Sequence, residues 1–216
     1  GPTSENKAIH LPIETMLNLK FENSAATDKK KNYTFMFDIR ESSYRFEALL
    51  QPNLLNNSDA MFFINEKGQI GHYANNNWGY GGKIELNKWH RVVITVKNSI
   101  PNAYLDGVLV TPGKNAFNGA WELDPTGCYL FADNDGERLV AEVAEIRYWE
   151  EALTKAQVAT LGKINVDETP QEPEDPQEMP ARDAEWKFNN TEDLYANTVS
   201  DDIKLIPYKV GANKTA

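Results

Sequence analysis

Residues 89–110, WHRVVITVKNSIPNAYLDGVLV, constrain the fold more than any other stretch of the chain. Val92, Ile94 and Val96 alternate with Arg91, Val93, Thr95 and Lys97, the period-two pattern of a strand with two different faces. A polar break containing Pro101 follows, and then a second strand is predicted over 102–105. Asp106-Gly107 marks a two-residue hairpin turn, because both turn positions need positive φ, which Gly adopts freely and Asp more readily than most residues. Residues 108–110 form the return strand. A chain organised around such a meander is an antiparallel β protein, and nothing in the stretch is catalytic in character.

The rest of the chain repeats this pattern at a spacing of roughly 8–12 residues, which points to a sandwich. Strands are predicted over 15–21, 33–40, 44–51, 60–65, 69–73, 83–86, 120–123, 128–132 and 139–149. In the last of these, Glu142, Ala144, Ile146 and Tyr148 alternate with Val143, Glu145, Arg147 and Trp149. Residues 66–68 and 133–137 are turns, and 74–82 is a loop. Thr154-Lys155-Ala156-Gln157 is a capping box that opens one short helix, stapled by Leu153 and Val158 and stopped by Gly162. Trp149 is positioned to cover that helix. The fold class is therefore all-β: an antiparallel two-sheet sandwich of jelly-roll type with one short C-terminal helix.

Residues 1–12 read as a loose N-terminus and 13–162 as the sandwich. Residues 163–182 form a Pro/Glu-rich linker, in which four prolines and few large apolar side chains favour an extended chain. Residues 183–216 resume with AEWKFNN, an echo of NLKFEN near the start, and about thirty residues cannot bury a core of their own. They are expected either to begin a second, truncated sandwich or to pack back on the first.

The ordered signals YTFMFD at 33–38, FFIN at 62–65, WHRV at 89–92, YLDG at 104–107, LFAD at 130–133 and EIRY at 145–148, closed by the helix, resemble a known family. They are similar to the laminin-G-like, concanavalin A-like lectin/glucanase domains of bacterial secreted proteins. The resemblance covers residues 13–162. It implies a module that binds glycans or proteins, often with calcium, in a family that includes some glycan-cleaving enzymes.

Charge narrows the partners. With 22 basic and 32 acidic residues, the net charge of −10 argues against nucleic acid and anionic membranes, which attract basic surfaces. No apolar run approaches the ~20 residues of a membrane span, so direct insertion is not expected. Cys128 is the single cysteine, which rules out an internal disulfide, and its strand neighbours predict a buried thiol. The chain opens Gly-Pro, the pair left by site-specific proteolysis. A signal peptide is expected to have been removed, and the protein to be secreted, periplasmic or cell-surface.

Three groups of residues could carry chemistry. The loop HYANNNWGY at 72–80 combines Tyr73, Trp78 and Tyr80, flat faces for sugar C–H surfaces, with Asn75, Asn76 and Asn77, amides for sugar hydroxyls. Asp133, Asp135 and Glu137 in DNDGE offer carboxylates in a tight turn for Ca²⁺, an oxygen-seeking ion, and Asp59 is a further ligand from a second loop. Retaining glucanases need two carboxyls about 5–5.5 Å apart. Glu142 and Glu145, three residues apart on a strand, are expected on opposite faces and unable to make that pair.

The expected function is a non-catalytic extracellular binding module for carbohydrate, with calcium as a possible cofactor, from a larger multidomain protein. The alternative is a structural or protein-interaction spacer attached to a separate catalytic domain and contacting a cell-surface or extracellular protein. A glycoside hydrolase is third.

Overall fold

The computed structural model describes residues 8–11, 15–22, 25–55, 59–72, 79–164, 177–190 and 192–209. In chain order the strands are β1 (Ile9–His10), β2 (Thr15–Phe21), β3 (Tyr33–Glu41), β4 (Glu47–Gln51), β5 (Phe62–Ile64), β6 (Ile70–His72) and β7 (Gly79–Gly81). They continue as β8 (Trp89–Lys97), β9 (Ile100–Leu105), β10 (Val108–Pro112), β11 (Gly127–Leu130) and β12 (Ala141–Trp149). The helix α1 (Lys155–Leu161) follows, then β13 (Ala184–Trp186) and β14 (Ile203–Lys209).

Among the described residues, two antiparallel sheets of seven strands each pack face to face as a sandwich. Sheet A runs β1-β12-β3-β8-β9-β10, with β13 also on the outer edge of β12; sheet B runs β14-β2-β11-β4-β5-β6-β7. Period-two alternation decides what lies between them. Tyr33, Phe35, Phe37 and Ile39 of β3 and Val92, Ile94 and Val96 of β8 meet Leu17 and Leu19 of β2 and Leu130 of β11 in one core. Its aromatic spine includes Phe35 between Phe37, at 5.8 Å, and Tyr148, at 4.9 Å between ring centroids. Cys128 is buried there, and burial pushes its thiol upward, well away from a reactive thiolate.

β13 and β14 join different sheets, β13 sheet A and β14 sheet B. Trp186 lies opposite Ile146 and Leu205 opposite Leu19. Ala184, Trp186, Phe188, Ile203 and Leu205 all enter the main core. Arg147 and Arg182 reach the Glu185 carboxylate at 3.2 and 2.8 Å, and Lys187 reaches it at 3.2 Å.

The outside of sheet A is closed. Met36, Val93, Tyr104 and Trp149 pack against Leu153 and Val158 of the helix segment. The capping box forms as the sequence predicts, with Thr154 accepting from the Gln157 amide and the Gln157 side chain accepting from the Thr154 amide. Arg91 fixes the helix from below: it donates two 2.8 Å bonds to the buried Asp38 carboxylate and a 2.6 Å bond to the Leu161 carbonyl. The Asp106-Gly107 turn adopts the expected positive φ values of 52° and 82°. Asp106 also accepts from the Arg91 amide and pairs with His90 Nδ1 at 2.7 Å. Because His90 Nε2 accepts from the Glu85 amide, the ring proton sits on Nδ1.

Several local expectations are corrected. The break before β9 is not at Pro101, which lies in the ladder opposite Val96. The chain turns instead at Asn98-Ser99, both at positive φ, as a two-residue hairpin requires. Residues 83–86 form no strand, because the Glu85 amide is taken by the His90 side chain rather than by a neighbouring strand. Residues 119–121 form a 3₁₀ turn where a strand was predicted, started by Gly119 at a φ of 52°. The predicted loop 74–82 contains β7, paired with β6.

Candidate functional site

Asp59, Asp133 and Glu137 each present an oxygen within 4.8 Å of the others. Asp59 precedes β5, while Asp133 and Glu137 lie in the connection from β11 to β12. Phe131, at a φ of 64°, turns the chain out of β11 just before that connection. The Asp133 carboxyl is buried. Its Oδ1 accepts from the Asp135 and Glu137 amides at 3.3 and 3.2 Å, while no donor reaches Oδ2. Burial, reinforced by the Asp135 and Glu137 carboxyls, pushes the acid up to about 8. Burial also raises Glu137 and Asp59, with the charge of Asp135 adding to both.

Of the three acids singled out in DNDGE, Asp133 and Glu137 thus converge, and Asp59 joins them across the loops. Asp135 is exposed and stands outside the triad, contributing its amide and its charge. A buried carboxylate oxygen with acidic neighbours and no donor is a costly arrangement that a divalent cation would satisfy. The donor set, carboxylates alone, suits a hard oxygen-seeking ion such as Ca²⁺.

The triad adjoins an aromatic patch on the outer face of sheet B. The Ala48 amide donates to the Glu137 carbonyl, and Ala48, Ala60, Phe63 and Tyr80 pack together beside it. Phe46 lies over Phe63 at 5.0 Å and is 37% exposed. Tyr80 sits on β7 opposite Gly71, in register with Phe63 and Ala48 on the next strands. A Cβ on Gly71 would come within 2.5 Å of the Tyr80 ring, so glycine there lets the ring lie flat across the strand. Tyr80 was read from the sequence as a loop residue; Phe46 and Phe63 were not singled out at all, although Phe62-Phe63 offers one aromatic to each face of its strand. Tyr73, Asn75, Asn76, Asn77 and Trp78 lie outside the described residues. His72 is buried at the end of β6.

The carboxylates of β12 need a correction. A β-bulge between Val143 and Glu145 absorbs one residue, so Glu142 lies opposite Arg40 and Glu145 opposite Asp38. Asp38 and Arg40 share a face of β3, and Glu142 and Glu145 therefore point to the same side. Each is held by an arginine, Glu142 by Arg40 and Glu145 by Arg147.

Comparison with known proteins bears on the fold. Residues 23–159 match the family model described as the concanavalin A-like lectin/glucanases superfamily. No curated protein matches the chain by sequence. Among solved structures, a Bacteroides ovatus protein named as a candidate for carbohydrate binding matches 96% of this chain and 60% of its own, at 15% identity and a TM-score of 0.62. The Trypanosoma rangeli sialidase matches over 61% of this chain and 22% of its own, at 19% identity and a TM-score of 0.51. The chain thus spans about a fifth of the sialidase's length, and at these identities the likeness is one of fold.

Proposed function

The chain belongs to the concanavalin A-like lectin/glucanase superfamily, and from that premise we propose that it is a non-catalytic binding module for carbohydrate. Its setting is extracellular, as part of a larger multidomain protein. The observation that carries this reading is the aromatic patch of Phe46, Phe63 and Tyr80 on sheet B, placed against the Asp59–Asp133–Glu137 triad. A sugar ring would stack its C–H face on Phe46 or Tyr80, and Asp59, Asp133 and Glu137 would hold a Ca²⁺ able to supply a Lewis-acidic contact for sugar hydroxyls. The fold likeness to a protein named for carbohydrate binding supports the same ligand class. So does the pairing of Glu142 and Glu145 with arginines, which leaves neither as a free acid or nucleophile on that strand.

A glycan array probed with calcium and with chelator tests the reading. Binding should require calcium, be lost in Asp133→Asn, and weaken about tenfold in Tyr80→Ala, the loss of one aromatic contact of about 1.4 kcal/mol. Silence of the folded protein across the array would transfer the assignment to a protein-interaction or spacer module. Release of reducing sugar from any array member would return it to the hydrolases.

A further inference from the structure

We propose that the end of the sandwich where β3 runs towards β4 is a second divalent-cation site, separate from the Asp59 triad, with Glu41 and Glu47 as its carboxylate ligands. The argument starts from strand alternation. On β3 the inward positions are Tyr33, Phe35, Phe37 and Ile39, all core, and the next inward position is Glu41. On β4, Glu47 lies opposite Ile64, itself a core residue, and so also faces inward. Two acids therefore enter the layer between the sheets, one from each sheet, and both are 0% exposed.

Neither is fully satisfied by the protein. No donor reaches either oxygen of Glu41; Glu47 Oε1 accepts from the Val140 amide at 3.1 Å, and its Oε2 has no donor. Burial and the charge of Glu47 raise Glu41 to about 8, and burial raises Glu47 to about 7 against the Val140 amide and Arg45. Isolated buried carboxylates of this kind carry a large desolvation cost unless a counter-ion meets them.

Glu41 borders a cavity of about 330 Å³ that is also lined by His10, Arg40, Ser42, Asn87 and Glu142. Ser42 and Asn87 offer a hydroxyl and an amide oxygen, and the volume leaves room for waters to complete the six to eight oxygens that Ca²⁺ takes. Glu142 at the rim is engaged by Arg40, which leaves the buried pair as the charged ligands. A cation here would tie the end of β3 in sheet A to the start of β4 in sheet B, so its role is to clamp the sandwich rather than to touch a glycan.

Calorimetric titration of the chelated full chain with CaCl₂ tests this. Asp133→Asn is expected to take up one Ca²⁺, and Asp133→Asn/Glu41→Gln none. Glu47→Gln in the Asp133→Asn background should weaken binding at least tenfold, which keeps the test open should the Glu41 variant fail to fold. If the Asp133→Asn protein binds no Ca²⁺, or the variant lacking both acids still binds one, the proposal falls. A wild-type protein that binds a single Ca²⁺, retained in Asp133→Asn and lost in Glu41→Gln, would uphold this site and discard the triad.

Discussion

Sheet A and sheet B bury the same kind of inner face and differ on the outside. Over sheet A, Met36, Val93, Tyr104 and Trp149 are covered by the helix segment, and the charged groups beneath it are paired, Arg91 with Asp38. Over sheet B no helix packs among the described residues. Phe46, Ile206 and Tyr208 stay 37–53% exposed, and Asp133 is buried without a donor for one oxygen. The contrast between Asp38 and Asp133 is instructive. Both are buried aspartates, one on β3 answered by a guanidinium and one in the β11–β12 connection faced by other acids. A face with its charges answered serves stability; a face with exposed rings and an unanswered carboxylate is suited to meet something from solution.

The strongest test of that contrast removes the answer. Arg91→Ala leaves Asp38 buried and uncompensated and also deletes the bond to the Leu161 carbonyl. It should lower stability by about 3–5 kcal/mol in denaturant unfolding. A loss below about 1 kcal/mol would mean that the pair on the closed face is no more critical than a surface ion pair.

Asp133→Asn should act in the opposite direction. In chelator above about pH 8 it removes a buried charge whose Oδ2 has no donor, and the variant should gain about 1–3 kcal/mol. Destabilisation under those conditions would show that the carboxylate is answered after all.

The pH dependence separates the two kinds of acid further. Asp133 and Glu41 are both raised, to about 8 from ordinary values of 3.8 and 4.5. The folded state holds their protons more tightly than the unfolded chain does. Their cost is therefore absent below about pH 4 and grows as pH rises, becoming complete above about 8. Glu185 is the reverse case. Burial alone would raise it, but the Thr198 hydroxyl, Lys187, Arg147 and Arg182 hold it down to about 2. Its contribution is full above pH 4.5 and disappears as pH falls through 2. Thermal scans in chelator should show stability declining between pH 4.5 and 8, and the decline should flatten in Asp133→Asn/Glu41→Gln. An unchanged slope in that variant would place the titration elsewhere.

Local chemistry in the sequence announced what local chemistry decides. The Asp106-Gly107 turn, the Thr154–Gln157 capping box and the placement of Trp149 over the helix follow from residue type and spacing within a few positions. So does the clustering of Asp133 with Glu137. What was not legible depends on partners far along the chain. Strict alternation put Glu142 and Glu145 on opposite faces, and the bulge that reunites them shows itself only in the pairing with β3. Residues 83–86 looked like a strand until His90 claimed the Glu85 amide. Glu41 sits on the apolar side of an aromatic strand, but that β3 and β4 both send an acid inward is a consequence of how the two sheets close. Asp59 could be named as a ligand from a second loop and not placed, since the distance from 59 to 133 is set by the whole jelly roll.

The smallest predicted effect discriminates between the two faces most cleanly. In Thr154→Ala the Gln157 amide loses its side-chain acceptor, while the Thr154 position keeps its own amide bond to the Gln157 side chain. The cost should be about 1 kcal/mol of global stability, restored by Thr154→Ser. The loosened turn carries Val158 away from Trp149 and Met36, so Trp149 emission should shift slightly red. Glycan and calcium binding should stay at wild-type strength, because the whole core lies between this helix and sheet B's outer face. If Thr154→Ala weakens ligand binding as much as it weakens the fold, the two faces are energetically coupled, and the separation of a stabilising side from a binding side does not hold.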